Sequence, residues 1–272
     1  MFQIDDKIGF IGVGNMAEAL IKGLIKSGLY SPDRIASSDN DTLKLKNKSE
    51  TYGIRACYSN RELVQASSII VLSVKPQVIK AVLSEIAGYL EPDQLVISIA
   101  AGITINLIQD AIGKDKPIIR VMPNTPALIQ RGISALSGGG TAAREHMNKA
   151  QEIFNAVGKT VIVDEGMMDA ITAISGSGPG FVFRIMESFV EAGERLGFDR
   201  DTALMLVKQT FLGASHLADE SESSLSKLRE MVTSPGGTTA AGLSAFEDRG
   251  LSEVISYGLK AARDRSVELG KK

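Results

Sequence analysis

The sequence predicts an α/β fold: an N-terminal Rossmann-type, doubly wound parallel sheet followed by an all-α C-terminal domain. Three observations lead there. From residue 7 to about 163, short β-rich runs alternate with helical segments, the order that builds a largely parallel sheet with helices on both faces. A glycine-punctuated turn, Gly12-x-Gly14-x-x-Ala17, follows the first run and opens the first helical segment. Beyond Asp164 the strand signals stop and long segments with helical spacing take over. The 272 residues therefore divide into two domains, 1–163 and 164–272, each large enough for its own core.

In the first domain, strands are expected at 7–12, 34–38, 69–74, 95–99, 118–122, 133–136 and 160–163. Each is rich in β-branched or apolar residues and is flanked by turn-forming ones. Ile69-Ile70-Val71-Leu72 is apolar on both sides, which suits a central strand covered on both faces. Helices are expected between them at 16–27, 41–51, 77–89 and 105–111. In the second domain helices are expected at 167–175, 179–196, 200–218, 225–232, 238–248 and 251–269. Phe183, Met186, Phe189, Val190 and Gly193 recur at helical spacing and mark a face for the core or a subunit interface. Gly197 and Gly250 stand where helices end.

Hydrophobic residues make up 44% and charged residues 23%, the values of a globular chain, which sets disordered and fibrous classes aside. A net charge of -2 gives no electrostatic case for nucleic acid or anionic membranes. No uncharged apolar run reaches the roughly 18 residues of a membrane span. No basic leader with a removable apolar stretch precedes the first strand, and the lone Cys57 cannot form an internal disulfide, so a cytoplasmic location is expected. The two histidines, His146 and His216, belong to no ligand-like cluster, and no metal is expected.

In the turn after the first strand, Gly12 permits the tight bend and Gly14 lets the backbone approach a pyrophosphate. Ala17 is small enough for close helix–strand packing, and the helix N-terminus faces the phosphates. Cofactor choice is read at the end of the second strand, Ser37-Ser38-Asp39-Asn40-Asp41. Asp39 can hydrogen-bond ribose hydroxyls and favour NADH. Ser37, Ser38 and Asn40 can equally bind a 2′-phosphate, with Lys44 or Lys46 supplying charge, and Asp39 and Asp41 can simply cap the next helix. Both NADPH and NADH therefore stay open.

Three later loops fall on the sheet edge where open α/β folds bind ligands. Ser73-Val74-Lys75-Pro76 offers an apolar side chain for the nicotinamide and a lysine that is as readily a solvated one. Ala100-Ala101-Gly102 has small side chains that allow a flat ring close. Met122-Pro123-Asn124-Thr125-Pro126 forms a rigid turn, its Asn124 and Thr125 aimed at the cleft or at their own backbone. Far downstream, Ser234-Pro235-Gly236-Gly237-Thr238-Thr239 lies between two helices, where Gly-Gly frees the backbone to bend into a nest of N–H donors for a carboxylate. A Pro-Gly turn capped by threonine is the plainer alternative. Ser175-Gly176-Ser177-Gly178-Pro179 carries the same ambiguity.

Taken together, these segments resemble the pyrroline-5-carboxylate reductase family over essentially the full chain. The resemblance rests on Gly9-Phe10-Ile11-Gly12-Val13-Gly14-Asn15-Met16, Val74-Lys75-Pro76, Ala100-Ala101-Gly102, Met122–Pro126, Ser175–Pro179 and Met231-Val232-Thr233-Ser234-Pro235-Gly236-Gly237-Thr238-Thr239. The last is the family's signature loop. The resemblance implies hydride transfer from NADPH or NADH to the C=N bond of 1-pyrroline-5-carboxylate, giving L-proline, the last step of proline biosynthesis. It implies a homodimer whose active sites are completed at the dimer interface, with assembly into a pentamer of dimers in some members. Cofactor contacts would fall on Gly12, Gly14, Asn15, Met16, Ser38, Asn60, Val74, Lys75, Pro76, Ala100 and Gly102. The substrate carboxylate would lie on Ser234, Gly236, Gly237 and Thr238, with Thr239 as the catalytic group near the ring nitrogen. Glu222 matches a family glutamate near the substrate, but Ser223-Ser224 replaces the usual His-Pro after it.

Two other classes share parts of this pattern. β-Hydroxyacid dehydrogenases share the cradle and a helical second half, but they use a lysine and an asparagine from one helix. The comparable helix here reads Pro179-Gly180-Phe181-Val182-Phe183-Arg184 and has neither. A non-catalytic nicotinamide-dinucleotide sensor is opposed by the intact Ser234–Thr239 loop.

Overall fold

The apolar run 69–72 has no exposed residue, and the first half of the chain is built around it. In the computed structural model, which describes residues 6–270, the strands form one sheet. They are β1 (Ile8–Ile11), β2 (Ile35–Ser38), β3 (Arg55–Ala56), β4 (Ile69–Leu72), β5 (Leu95–Ser98), β6 (Pro117–Met122), β7 (Gly132–Gly140) and β8 (Gly158–Ile162). The order is β3-β2-β1-β4-β5-β6-β7-β8, and every pairing is parallel except β6 with β7. Connections reverse direction on either side of β1, which makes the β1–β4 boundary the switch point where such sheets bind ligands. There Ile11 stands level with Leu72.

The connecting helices are α1 (Asn15–Lys26), α2 (Thr42–Tyr52), α3 (Asn60–Ala66), α4 (Ile79–Ile86), α5 (Ile105–Ile112) and α6 (Arg144–Asn155). Strand alternation sorts the core into two layers. Ile8, Phe10, Ile69 and Val71 pack with Leu20 and Leu24 of α1 and Phe154 of α6. Ile11, Ile70 and Leu72 pack on the other face with Leu63, Ile79, Leu83 and Ile108. Among these connecting helices, α2, α3 and α5 carry side-chain N-caps: Asp41 accepts from Lys44 N, Ser59 from Glu62 N and Thr104 from Leu107 N.

Several elements differ from expectation. β3 and α3 were not foreseen, since a two-residue strand has no period to read. Helix α6 was not among the expected helices. β7 runs on through Gly138-Gly139-Gly140, where pairing with β6 rather than strand propensity holds the backbone. It turns antiparallel because a short connection, with a 3-10 turn at Thr125–Ile129, joins it to β6 without a crossover helix. The helix expected at 77–89 is α4 with a 3-10 turn at each end.

Past the sheet, α7 (Met168–Ile171) widens into a π-helical turn, Thr172–Gly176. Then follow α8 (Gly178–Arg195), α9 (Arg200–Glu220), α10 (Leu225–Met231), α11 (Thr238–Glu247) and α12 (Leu251–Gly270). By packing, one compact unit runs to Ser177 and takes in the chain from Ala262, and Gly178–Ala261 form a second. Burial of Met168 and Ala173 and a 2.6 Å hydrogen bond from Ser266 to Asp169 account for that. In the second unit, α8 and α9 cross closely where Gly193 meets Ala203. Its own buried core is only Val190, Ala203 and Val207, while Phe183 is 60% and Tyr257 78% exposed.

Gly9 on β1 faces α3, and a Cβ there would run into Ser67 and Leu63. Gly9→Ala is therefore expected to destabilise the protein by about 1–3 kcal/mol through overpacking, read as a lower urea midpoint with unchanged m.

Candidate active site

The turn after β1 is laced to both neighbouring strands. Gly12 N donates to Ser38 O at 2.7 Å, and Ser73 Oγ donates to Ile11 O and Gly12 O at 2.9 and 2.7 Å. Gly12 has φ 96°, and a Cβ there would meet Ser73 O at 2.8 Å, so only glycine fits. Gly14 differs. A Cβ at Gly14 would meet nothing within 4 Å, and as N-cap of α1 it provides no side-chain acceptor. Asn15 and Met16 thus open a helix whose first N–H groups are uncapped at the switch point, which fits a dinucleotide pyrophosphate.

Asp39 does more than the sequence suggested. Its Oδ2 accepts from Val13 N at 2.8 Å, its Oδ1 accepts from Asp41 N at 3.0 Å, and Lys44 Nζ lies 3.3 Å away. Burial pushes this carboxyl up, but the two N–H groups and the Lys44 ammonium outweigh it and hold Asp39 below the usual carboxylate range. The side chain therefore braces the phosphate turn, and Asp41 caps α2.

Ser38 Oγ donates to Asn60 Oδ1 at 2.7 Å, and Asn60 Nδ2 donates to Glu85 at 2.8 Å, which brings these expected cofactor residues together. Ser37 stands apart from them: it is level with Phe10 on the α1 face, wholly buried and with no partner for its hydroxyl, so strand alternation turns its side chain away from that of Ser38. Val74 is half-buried against the core, Lys75 is exposed, and Pro76 opens a 3-10 turn. Ala100 is buried, and Gly102, at φ 76°, faces the end of α12, 3.3 Å from Gly270 N for a built Cβ. Asn124 turns to its own chain, its Oδ1 accepting from Ile133 N at 2.9 Å. Gly176 leaves room for the Met122 side chain. Cys57 is buried, and burial pushes its thiol up to about 11, which leaves it unreactive.

In the second unit, Gly237 N-caps α11 with no side-chain acceptor, and its N–H donates to Ser234 O at 3.0 Å. Thr238 and Thr239 are the first residues of α11 and are exposed. Ser234, Gly236, Gly237, Thr238 and Thr239 are thus gathered at one uncapped helix N-terminus. Glu222 is not part of that loop: it precedes α10, whose seven residues span about 10 Å. Ser224, in place of the expected proline, caps α10 by accepting from Lys227 N at 3.2 Å. Among the described residues no group of His, Cys, Asp and Glu could hold a metal ion.

A parallel sheet with an open phosphate turn at its switch point defines a dinucleotide-binding protein of the oxidoreductase class. Comparison with known proteins narrows this. Residues 165–269 match the family model described as pyrroline-5-carboxylate reductase dimerisation, and residues 7–102 match that of NADP oxidoreductase, coenzyme F420-dependent. The chain is 41% identical to a pyrroline-5-carboxylate reductase of Methanosarcina acetivorans over 98% of this chain and 99% of that one. Among solved structures, a pyrroline-5-carboxylate reductase from Coxiella burnetii superposes with a TM-score of 0.93 at 40% identity, covering 99% of this chain and 100% of the other. One from Plasmodium falciparum with NADP bound superposes at 0.88 with 31% identity, covering 99% and 100%. The chain belongs to the pyrroline-5-carboxylate reductase family.

Gly14→Ala is expected to leave thermal stability nearly unchanged while weakening dinucleotide binding at least tenfold, measured by calorimetric titration with NADP⁺ and NAD⁺. Asp39 has a depressed native pKa, so its stabilisation is complete above the unfolded value near pH 4 and is lost as pH falls through the lower native value. Asp39→Asn should lack that part of the acid dependence, and unfolding midpoints of the two proteins between neutral pH and pH 3 check it.

Proposed function

We propose that this chain is an NAD(P)H-dependent reductase that converts 1-pyrroline-5-carboxylate to L-proline. The observation that carries the reading is the joint presence, in one family member, of the open phosphate turn and the uncapped Ser234–Thr239 loop. The cofactor supplies a hydride to the carbon of the C=N bond when bound.

The chain's own residues bind and orient. The α1 N-terminus with Gly12, Gly14, Asn15 and Met16 holds the pyrophosphate, and Ser38 with Asn60 borders the adenosine side. Val74, Lys75, Pro76, Ala100 and Gly102 form the nicotinamide side. The N–H groups at Gly236 and Thr238, with the Ser234 hydroxyl, hold the substrate carboxylate around the bend at Gly237, whose own N–H closes the turn on Ser234 O, and the helix dipole favours the charge. Thr239 Oγ1 keeps the proton on the ring nitrogen. A cyclic imine is readily protonated and then already electrophilic, so a strong acid is not required and positioning carries most of the effect. Glu222 acts from outside the signature loop as a substrate-side carboxylate.

Residues 1–163 form the dinucleotide-binding domain and 164–272 the dimerisation and substrate domain in this reading. The exposed apolar faces of α8, α9 and α12 are the surface a second copy covers, and a pentamer of dimers is the larger assembly. No helix among the described residues is long and apolar enough to cross a membrane, and the proposed setting is the cytoplasm.

Loss of reduced cofactor that depends on 1-pyrroline-5-carboxylate, followed separately with NADPH and NADH, tests the activity. No turnover with either, in folded and dimeric protein, overturns it. Thr239→Ala is expected to lower kcat by 10²-fold or more with cofactor affinity near that of the parent, in line with loss of a positioned proton-holding group. Steady-state kinetics and titration with the oxidised cofactor separate the two effects.

A further inference from the structure

Arg120 is a guanidinium in the interior of the sheet. It lies on β6 between β5 and β7, level with Ser98 and Ser137, and is 5% exposed. Its Nη1 donates to Glu165 Oε1 at 3.1 Å, and the same oxygen accepts from Ile105 N at 2.7 Å. Glu165 begins the segment after β8, and Ile105 is the first residue of α5. Thr104 already caps α5 at Leu107 N, so the Glu165 carboxylate takes a second N–H of the same helix start. That start closes the turn carrying Ala100 and Gly102. On its other side the turn is bounded by Leu269 and Gly270 of α12, against which the Gly102 Cα is packed.

An ion pair in such a place is weak evidence for stability, because apolar residues of similar volume often do as well. What it fixes is geometry. The guanidinium locates the carboxylate, and the carboxylate locates the backbone at Ile105.

We propose that Arg120 and Glu165 are positioning residues that clamp the turn at Ala100–Gly102, and so seat the nicotinamide end of the cofactor for hydride transfer. The second half of this statement rests on the reductase reading; the clamp on the turn does not. Neither side chain is assigned contact with the cofactor or substrate.

Glu165→Asp tests it, because the shorter side chain keeps the charge but cannot satisfy Arg120 and Ile105 together. In the cofactor-free protein, amide hydrogen exchange in a peptide covering 100–108 should quicken at least tenfold, with other sheet peptides unchanged. With cofactor and substrate, kcat should fall at least tenfold, while substrate KM and affinity for ADP-ribose, which lacks the nicotinamide, stay within twofold. R120M/E165Q strands no charge and keeps an acceptor for Ile105 N, so it should restore slow exchange and turnover to within threefold of the parent. Should E165D not fold, R120M/E165M, with no acceptor and no stranded charge, takes its place with the same expectations. Parent-like exchange and parent-like kcat in E165D or R120M/E165M overturn the clamp, as does R120M/E165Q falling as far as they do. Fast exchange with an unchanged kcat overturns its catalytic part alone. If the parent shows no turnover at all, the reductase reading fails, and the exchange arm still decides the clamp.

Discussion

The close passage of the β1–α1 turn over the start of the β4 loop is the constraint from which the dinucleotide half is built. Ser73 bonds two successive carbonyls of that turn, and Ser38 O takes the Gly12 N–H, so strands β2, β1 and β4 are joined at their C-terminal ends. With no side chain at Gly12, the chain can bend there and point α1 along the sheet. The uncapped helix start then lies at the reversal of strand order next to β1. A capping side chain at Gly14 would stabilise α1 alone, and its absence leaves the N–H groups for a ligand.

Charge is placed sparingly around this frame and mostly holds backbone. Asp39 bridges the phosphate turn and the start of α2, and Glu165 caps α5 from 60 residues away. Glu18 bonds Lys48 and Tyr52, tying α1 to α2. These carboxylates gain from N–H groups and cations what they lose in hydration, the condition for a buried charge to be tolerated.

The helical unit follows another rule. Three small or medium residues are its buried core, while a larger set of phenylalanines, leucines and methionines stays exposed on α8, α9 and α12. Exposed apolar area of this extent is what a subunit interface needs, and the match of residues 165–269 to a dimerisation family model agrees with it.

Much of this was legible in the sequence. Period and turn residues located β1, β4, β5 and the last five helices within a residue or two, because apolar runs and glycine stops are local signals. Gly12, Gly14 and the Ser234–Thr239 loop stand out for the same reason: the glycine spacing of each is read within a few residues. What the sequence could not give is anything that depends on which strands become neighbours. β3 and the glycine end of β7 are strands only because a partner strand supplies hydrogen bonds. Ser37 and Ser38 are chemically alike, and pairing in the sheet alone decided that one faces α1 and the other Asn60. Arg120, Glu165 and Ile105 are far apart along the chain and meet only through the fold. Local propensity and chain stiffness act over a few residues and are written in order along the sequence, whereas a buried charge finds its partner in three dimensions.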